Sequence, residues 1–212
     1  MSQAFEWLRL GGPTMYVLLI LSVASVTIVL VKLWEFWDRR IWERRFLPRT
    51  LEAWQRGRPD QALAALGTSS SPLAEVLRAG ISLCTNPGRT EAQVREQLER
   101  YAADQLEDLR GLLRPLEVVS QLAPLLGLLG TVLGMIEAFQ QLQAAGDRVS
   151  PSILSGGLWE ALLTTAGGLA IAILALAGYH FLERQVERLQ QAMESALTQL
   201  LVQPVPGGAV PA

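Results

Sequence analysis

Two side chains that build most reactive sites are nearly missing from this sequence of 212 residues: it has one cysteine, Cys84, and one histidine, His180. A single thiol excludes an intrachain disulfide, and one imidazole with one distant thiol cannot assemble a metal cluster. Cys84 therefore reads as a buried or idle thiol. There is no phosphate-binding loop of the Walker type, no dinucleotide-binding glycine pattern beside a strand, and no serine in a nucleophile elbow. These absences leave no visible means of using ATP, no cofactor and no enzyme chemistry. A net charge of −2 says little about partners, and no nucleic-acid partner is expected.

Charge is also missing locally, in long runs. Pro13 to Val31 is 19 residues without a charge, Val118 to Phe139 is 22 residues with only Glu137 charged, and Ala161 to Leu182 is 22 with none. A hydrocarbon core of about 30 Å takes roughly 20 such residues in a helix. No strand-like alternation suggests a barrel, so the runs predict an all-α membrane protein with three transmembrane helices. The first run is expected to be an uncleaved anchor: MSQAFEWLRLGG has one acid and one base, not a basic n-region, and the positive charges follow the run instead.

Those charges set the expected orientation. The segment from Lys32 to Arg114 holds 14 of the 18 basic residues, against Arg148 alone between Gln140 and Ser155. By the positive-inside rule the N-terminus is external and the C-terminus cytoplasmic. The expected division is an external N-terminus (1–12), a first transmembrane helix (13–31) and a cytoplasmic helical segment (32–114). A second transmembrane helix (115–139), an external loop (140–155) and a third transmembrane helix (156–182) follow, then a cytoplasmic helix (183–202) and a disordered tail (203–212).

The first run continues without a break into LVKLWEFWDRRIWERRFLPRTLEAW, where Trp34, Trp37, Ile41 and Phe46 sit near helical spacing. An ordinary aromatic belt accounts for these, with anionic-lipid binding as the alternative. Turn signals then separate short helices over roughly 60–66 and 73–83. Thr90 and Gln93 form a capping box opening a longer helix. Its stripe of Val94, Leu98, Tyr101 or Ala102, Leu106, Leu109, Leu113 and Leu116 runs directly into the second membrane run. Such a stripe needs a cover, from the extended first helix, the continuation of the third helix or another subunit. The third helix continues with Val186, Leu189, Met193, Leu197 and Leu200 on one face.

The second run, LAPLLGLLGTVLGMI, is unlike a plain anchor. Ser120, Pro124, Gly127, Thr131, Gly134 and Ala138 recur at spacings of three or four, with Gly130 beside them. The third run answers with Glu160, Thr164, Thr165, Gly167, Gly168, Ala172, Ala175 and Gly178. Small residues let helices approach closely in lipid, so both stripes also read as plain packing seams. The polar members argue for more, because an intramembrane carboxyl costs several kcal/mol unless it pairs or meets water.

The stretch LAPLLGLLGTVLGMIEAF resembles the second-helix signature of the MotA/TolQ/ExbB proton-channel family, and EALLTTAGGLAIAILAL is similar to the third-helix signature of its ExbB and TolQ branch. The resemblance is close over 115–185 and rests on layout alone over 1–114. It implies a homopentamer around a pore that holds the single helices of two ExbD- or TolR-like partners. These supply a protonatable aspartate, faced by Thr131 and Thr165, with Glu160 as the intramembrane carboxyl. Thr164 stands where the family often has alanine, adding a hydroxyl. On this reading Ser120, Pro124, Gly127, Gly130, Gly134 and Gly168 line the pore or pack the helices. The implied function is a subunit of a proton-driven motor in a bacterial inner membrane, coupled to a TonB- or TolA-like protein, with membrane lipids as surroundings. TonB-dependent transport is the favoured role; a TolQ-type role in envelope integrity or a non-conducting scaffold are the alternatives.

Overall fold

The computed structural model describes residues 12–86, 88–145 and 151–202, and only the backbone at 145 and 151–153. The expected external N-terminus up to residue 11, the loop tip at 146–150 and the tail at 203–212 lie outside the described residues. Among the described residues every regular element is a helix: α1 (Gly12–Asp38), α2 (Leu47–Gln55), α3 (Pro59–Leu66), α4 (Pro72–Cys84), α5 (Glu91–Arg110), α6 (Leu113–Ala145) and α7 (Pro151–Val202). The helices α1, α6 and α7 are long and apolar enough to cross a membrane.

The chain forms two compact units, one from Met1–Val31 with Leu112–Leu182 and one from Lys32–Gly111 with Glu183–Ala212. The second, charged unit is held by leucine burial. Its core includes Phe36, Trp54, Leu73, Leu77, Ile81, Leu98 and Leu189. The Thr90 capping box forms, with the Thr90 hydroxyl accepting from Gln93 N and the Gln93 side chain accepting from Thr90 N. The buried face of α5 is Val94, Leu98, Ala102, Leu106 and Leu109; the position left open between Tyr101 and Ala102 goes to Ala102.

The cover of that stripe comes from this same chain. A Cβ on Gly80 of α4 would meet Leu200 Cδ2 of α7 at 2.7 Å and Leu98 Cδ1 of α5 at 3.5 Å, so three helices converge there. Arg110 Nη2 donates to Gln190 Oε1 at 2.7 Å, and Trp54 Nε1 donates to the Leu200 carbonyl at 3.0 Å. Lys32, one of the positive charges after the first run, is 2% exposed rather than solvated. Its Nζ pairs with Glu35 Oε2 at 2.8 Å and lies 3.5 Å from the Asp108 carbonyl.

Two expected continuous helices are interrupted. The first ends at Asp38, because Arg40 turns into the left-handed region at φ 46°. Arg40 N bonds to Trp37 O and Ile41 N to Phe36 O, the paired bonds of a Schellman cap, with Phe36 and Ile41 buried against the turn. The helix of the leucine stripe stops at Arg110 and restarts at Leu113. Pro115 explains that break: it has no N–H to give the Gly111 carbonyl, and its ring crowds that carbonyl.

The first, apolar unit behaves differently. Ile20, Leu30, Leu125, Leu128, Ile173 and Leu174 are exposed on its helices. Hydrocarbon, not water, is the medium in which such surfaces are stable. The helices touch along lines of small residues instead.

Candidate functional site

The contact between α6 and α7 is built from glycine and alanine, and successive pairs run in opposite directions along the two helices. A Cβ on Gly168 would stand 2.5 Å from the Ala123 carbonyl and 3.0 Å from Gly127 Cα. One on Gly127 would stand 3.1 Å from both the Thr164 carbonyl and Thr165 Cα. Further along, a Cβ on Gly134 would stand 3.1 Å from Ala161 Cβ and one on Gly157 2.5 Å from Ala138 Cβ. Backbone thus lies against backbone, as helix association in lipid requires.

The hydroxyls occupy this seam. Thr165 Oγ1 donates across it to the Gly127 carbonyl at 2.9 Å. Thr164 is 2% exposed and donates to Ala161 O at 2.7 Å within its own helix. Thr131 is half-buried and donates to Leu128 O at 2.6 Å. Thr131 follows the seam residue Gly130 as Thr165 follows Thr164. In an antiparallel pair this offset puts Thr131 and Thr165 on the same flank. Ser120 is buried with its hydroxyl on the Glu117 carbonyl, and Pro124 is half-buried. Pro124 also deprives the Ser120 carbonyl of its helical donor.

Glu160 does not lie on that flank. On α7 a second line, Glu160, Thr164, Gly167 and Gly178, turns toward α1. A Cβ on Gly12 would be 4.0 Å from Glu160 Oε1, one on Gly167 would be 3.7 Å from Met15 Sδ, and one on Gly178 would be 2.8 Å from Val29 Cγ2. The half-buried Glu160 therefore stands beside the first turn of α1. Thr164 belongs to both lines, and the hydroxyl of Thr14 on α1 joins it at Gly130: Thr164 Oγ1 lies 2.6 Å and Thr14 Oγ1 3.0 Å from the point a Cβ would take. Sequence reasoning missed Thr14. It sits in a run that also holds Ser22, Ser25 and Thr27, with no spacing that singles it out.

Elsewhere the chemistry is quiet. No group of three or more metal-ligating side chains occurs among the described residues. The Cys84 thiol is pushed above its ordinary range, first by burial and then by the Glu91 charge, so it stays protonated and unreactive at neutral pH.

The seam residues of both helices, from Ala123 to Gly168, fall within residues 68–195, which match the family model of the MotA/TolQ/ExbB proton channel family. The chain belongs to this family. Among its relatives, the biopolymer transport protein exbB1 of Vibrio cholerae is 34% identical over 148 residues, covering 69% of this chain and 64% of that protein. The putative biopolymer transport protein ExbB homolog of Methanothermobacter thermautotrophicus is 25% identical over 186 residues, or 86% and 63% of the two chains. The putative biopolymer transport protein ExbB-like 1 of Synechocystis is 33% identical over 180 residues, or 84% and 69%. The match spans less than two thirds of the length of the first two. These relatives put the chain in the ExbB branch, and its three apolar helices make it a multi-pass membrane protein.

Proposed function

We propose that this ExbB-branch protein is the scaffold subunit of a proton-driven motor in a bacterial inner membrane. It assembles as a pentamer around the single helices of an ExbD- or TolR-like partner and passes movement to a TonB-like protein that spans the periplasm. Thr131 and Thr165 line the proton path, and Glu160 and Thr164 supply a carboxyl and a further hydroxyl. The observation that carries this reading is the pair of hydroxyls, Thr131 and Thr165, on one flank of a seam built mainly from glycine and alanine, with Thr165 held on the Gly127 carbonyl. A hydroxyl both donates and accepts, so it meets a partner's carboxyl in either protonation state. One charge crossing 100 mV releases about 2.3 kcal/mol, enough to bias states separated by a few kcal/mol.

A non-conducting scaffold is the second reading, favoured by the glycines themselves, since Gly127, Gly134 and Gly168 are each used up in packing α6 on α7. Valine is nearly isosteric with threonine, so Thr131→Val and Thr165→Val separate the two. The chain and its single-helix partner are reconstituted together in vesicles, and proton uptake is compared with particle mass by native mass spectrometry. The motor predicts five copies holding two partner chains, with that mass unchanged in both variants and uptake lost. Uptake at wild-type level in both variants leaves a scaffold.

A further inference from the structure

The contact at Gly130 brings the first helix into the site. Thr14 and Thr164 come from helices far apart in sequence, yet both hydroxyl oxygens lie within 3.0 Å of one point, the place a Gly130 side chain would fill. Both side chains are buried, Thr14 at 9% and Thr164 at 2% exposure. One turn before Thr164, Glu160 faces Gly12, two residues before Thr14. The first turn of α1 thus runs beside the carboxyl and the hydroxyl of α7 together.

We infer that Thr14 is a positioning residue for the proton path: its hydroxyl sets the Thr164 hydroxyl beside Glu160, in space kept open by Gly130. The inference rests on the proposed function. The Thr164 hydroxyl spends its one proton on Ala161 O and retains lone pairs that accept. Its rotamer is therefore sensitive to a polar neighbour, and Thr14 is the neighbour that α1 brings to it. Gly130 has a reason distinct from close helix approach. A methyl there would press on Thr164 Cβ at 2.8 Å and displace both hydroxyls.

Thr14 is tested by exchanging volume against polarity. Thr14→Val keeps the volume and removes the hydroxyl, whereas Thr14→Ser keeps the hydroxyl and removes a methyl. In vesicles of the chain with its partner, Thr14→Ser is expected to retain proton uptake within about two-fold and Thr14→Val to lose about ten-fold, the scale of one buried polar interaction, at unchanged particle mass. The opposite order, or wild-type uptake in both, overturns the inference, because packing alone follows volume. A second arm does not depend on transport. Gly130→Ala lowers Tm in detergent, and Thr164→Gly in the same chain recovers more than the two single changes predict; strict additivity overturns the shared space. Uptake that survives Thr131→Val and Thr165→Val removes the path and this role together. Uptake lost in those two variants but kept in Thr14→Val overturns the role of Thr14 alone.

Discussion

Two glycines show how differently the two units are held together. A Cβ on Gly168 in the apolar unit would lie 2.5 Å from the Ala123 carbonyl, and one on Gly80 in the charged unit would lie 2.7 Å from Leu200 Cδ2. The distances are nearly equal, but the obstacles are not. Ala123 O belongs to a helix backbone that cannot yield, while Leu200 Cδ2 is the tip of a flexible side chain. In lipid, helices gain nothing from hiding leucine and associate by close packing and hydrogen bonds. In the charged unit, removing leucine from water is the driving force, and backbones stay a side chain apart.

Leucine truncation breaks this comparison most forcefully. Leu98 is fully buried in the charged unit, and Leu98→Ala is expected to cost about 3 kcal/mol through lost transfer and cavity terms. Leu174 is 68% exposed on the apolar unit, and Leu174→Ala should leave stability nearly unchanged. Denaturation of the detergent-solubilised protein, followed by tryptophan fluorescence, measures both. Equal losses would mean that Leu174 is buried by something other than lipid or detergent.

Next in size are the glycines. Gly168→Ala must push α6 and α7 apart and is expected to cost about 2 kcal/mol, in the range of overpacked cores. Gly80→Ala needs only a Leu200 rotamer change, and its better helix propensity offsets part of that, so about 0.5 kcal/mol or less is expected. The same denaturation curves rank the two, and a larger loss at Gly80 would reverse the account of what is rigid.

The smallest effect concerns a helix end. Gly57 at φ 71° and Arg40 at φ 46° make the same cap, with Gly57 N on Trp54 O and Arg58 N on Ala53 O matching the bonds around Arg40. Arg40 bears the steric cost of the left-handed region, and its pair with Glu43, at 3.8 Å and exposed, offsets little. Arg40→Gly is expected to stabilise the charged unit by about 0.5–1 kcal/mol, seen as a raised denaturation midpoint. A loss instead would assign the exposed pair a value that such pairs seldom have.

The same two caps show why parts of the fold were legible and others not. Gly57 announces a helix end by residue type, as Thr90 with Gln93 announces a start. Arg40 announces nothing, because its conformation is imposed by Phe36 and Ile41 packing across the turn. Pro115 did carry a signal for the break at Gly111–Leu112, but the unbroken leucine spacing on either side masked it. At the site, the stripes on α6 and α7 were visible as spacings of three and four. Which neighbour each stripe meets was not visible, because helical periodicity defines a face and leaves its partner open.

What the sequence by itself determined is therefore local or periodic. Three runs with at most one charge each are long enough to span hydrocarbon, the leucine stripes need cover, and hydroxyls and a carboxyl interrupt apolar helices. Tertiary structure alone decided that α4 and α7 cover α5, that Lys32 is buried against Glu35, and that α7 divides its small residues between α6 and α1. It also decided that Thr14 stands beside Thr164. The reason is the same in each case: composition and spacing set what a face requires, but several faces meet each requirement, and only close packing of the whole chain selects among them.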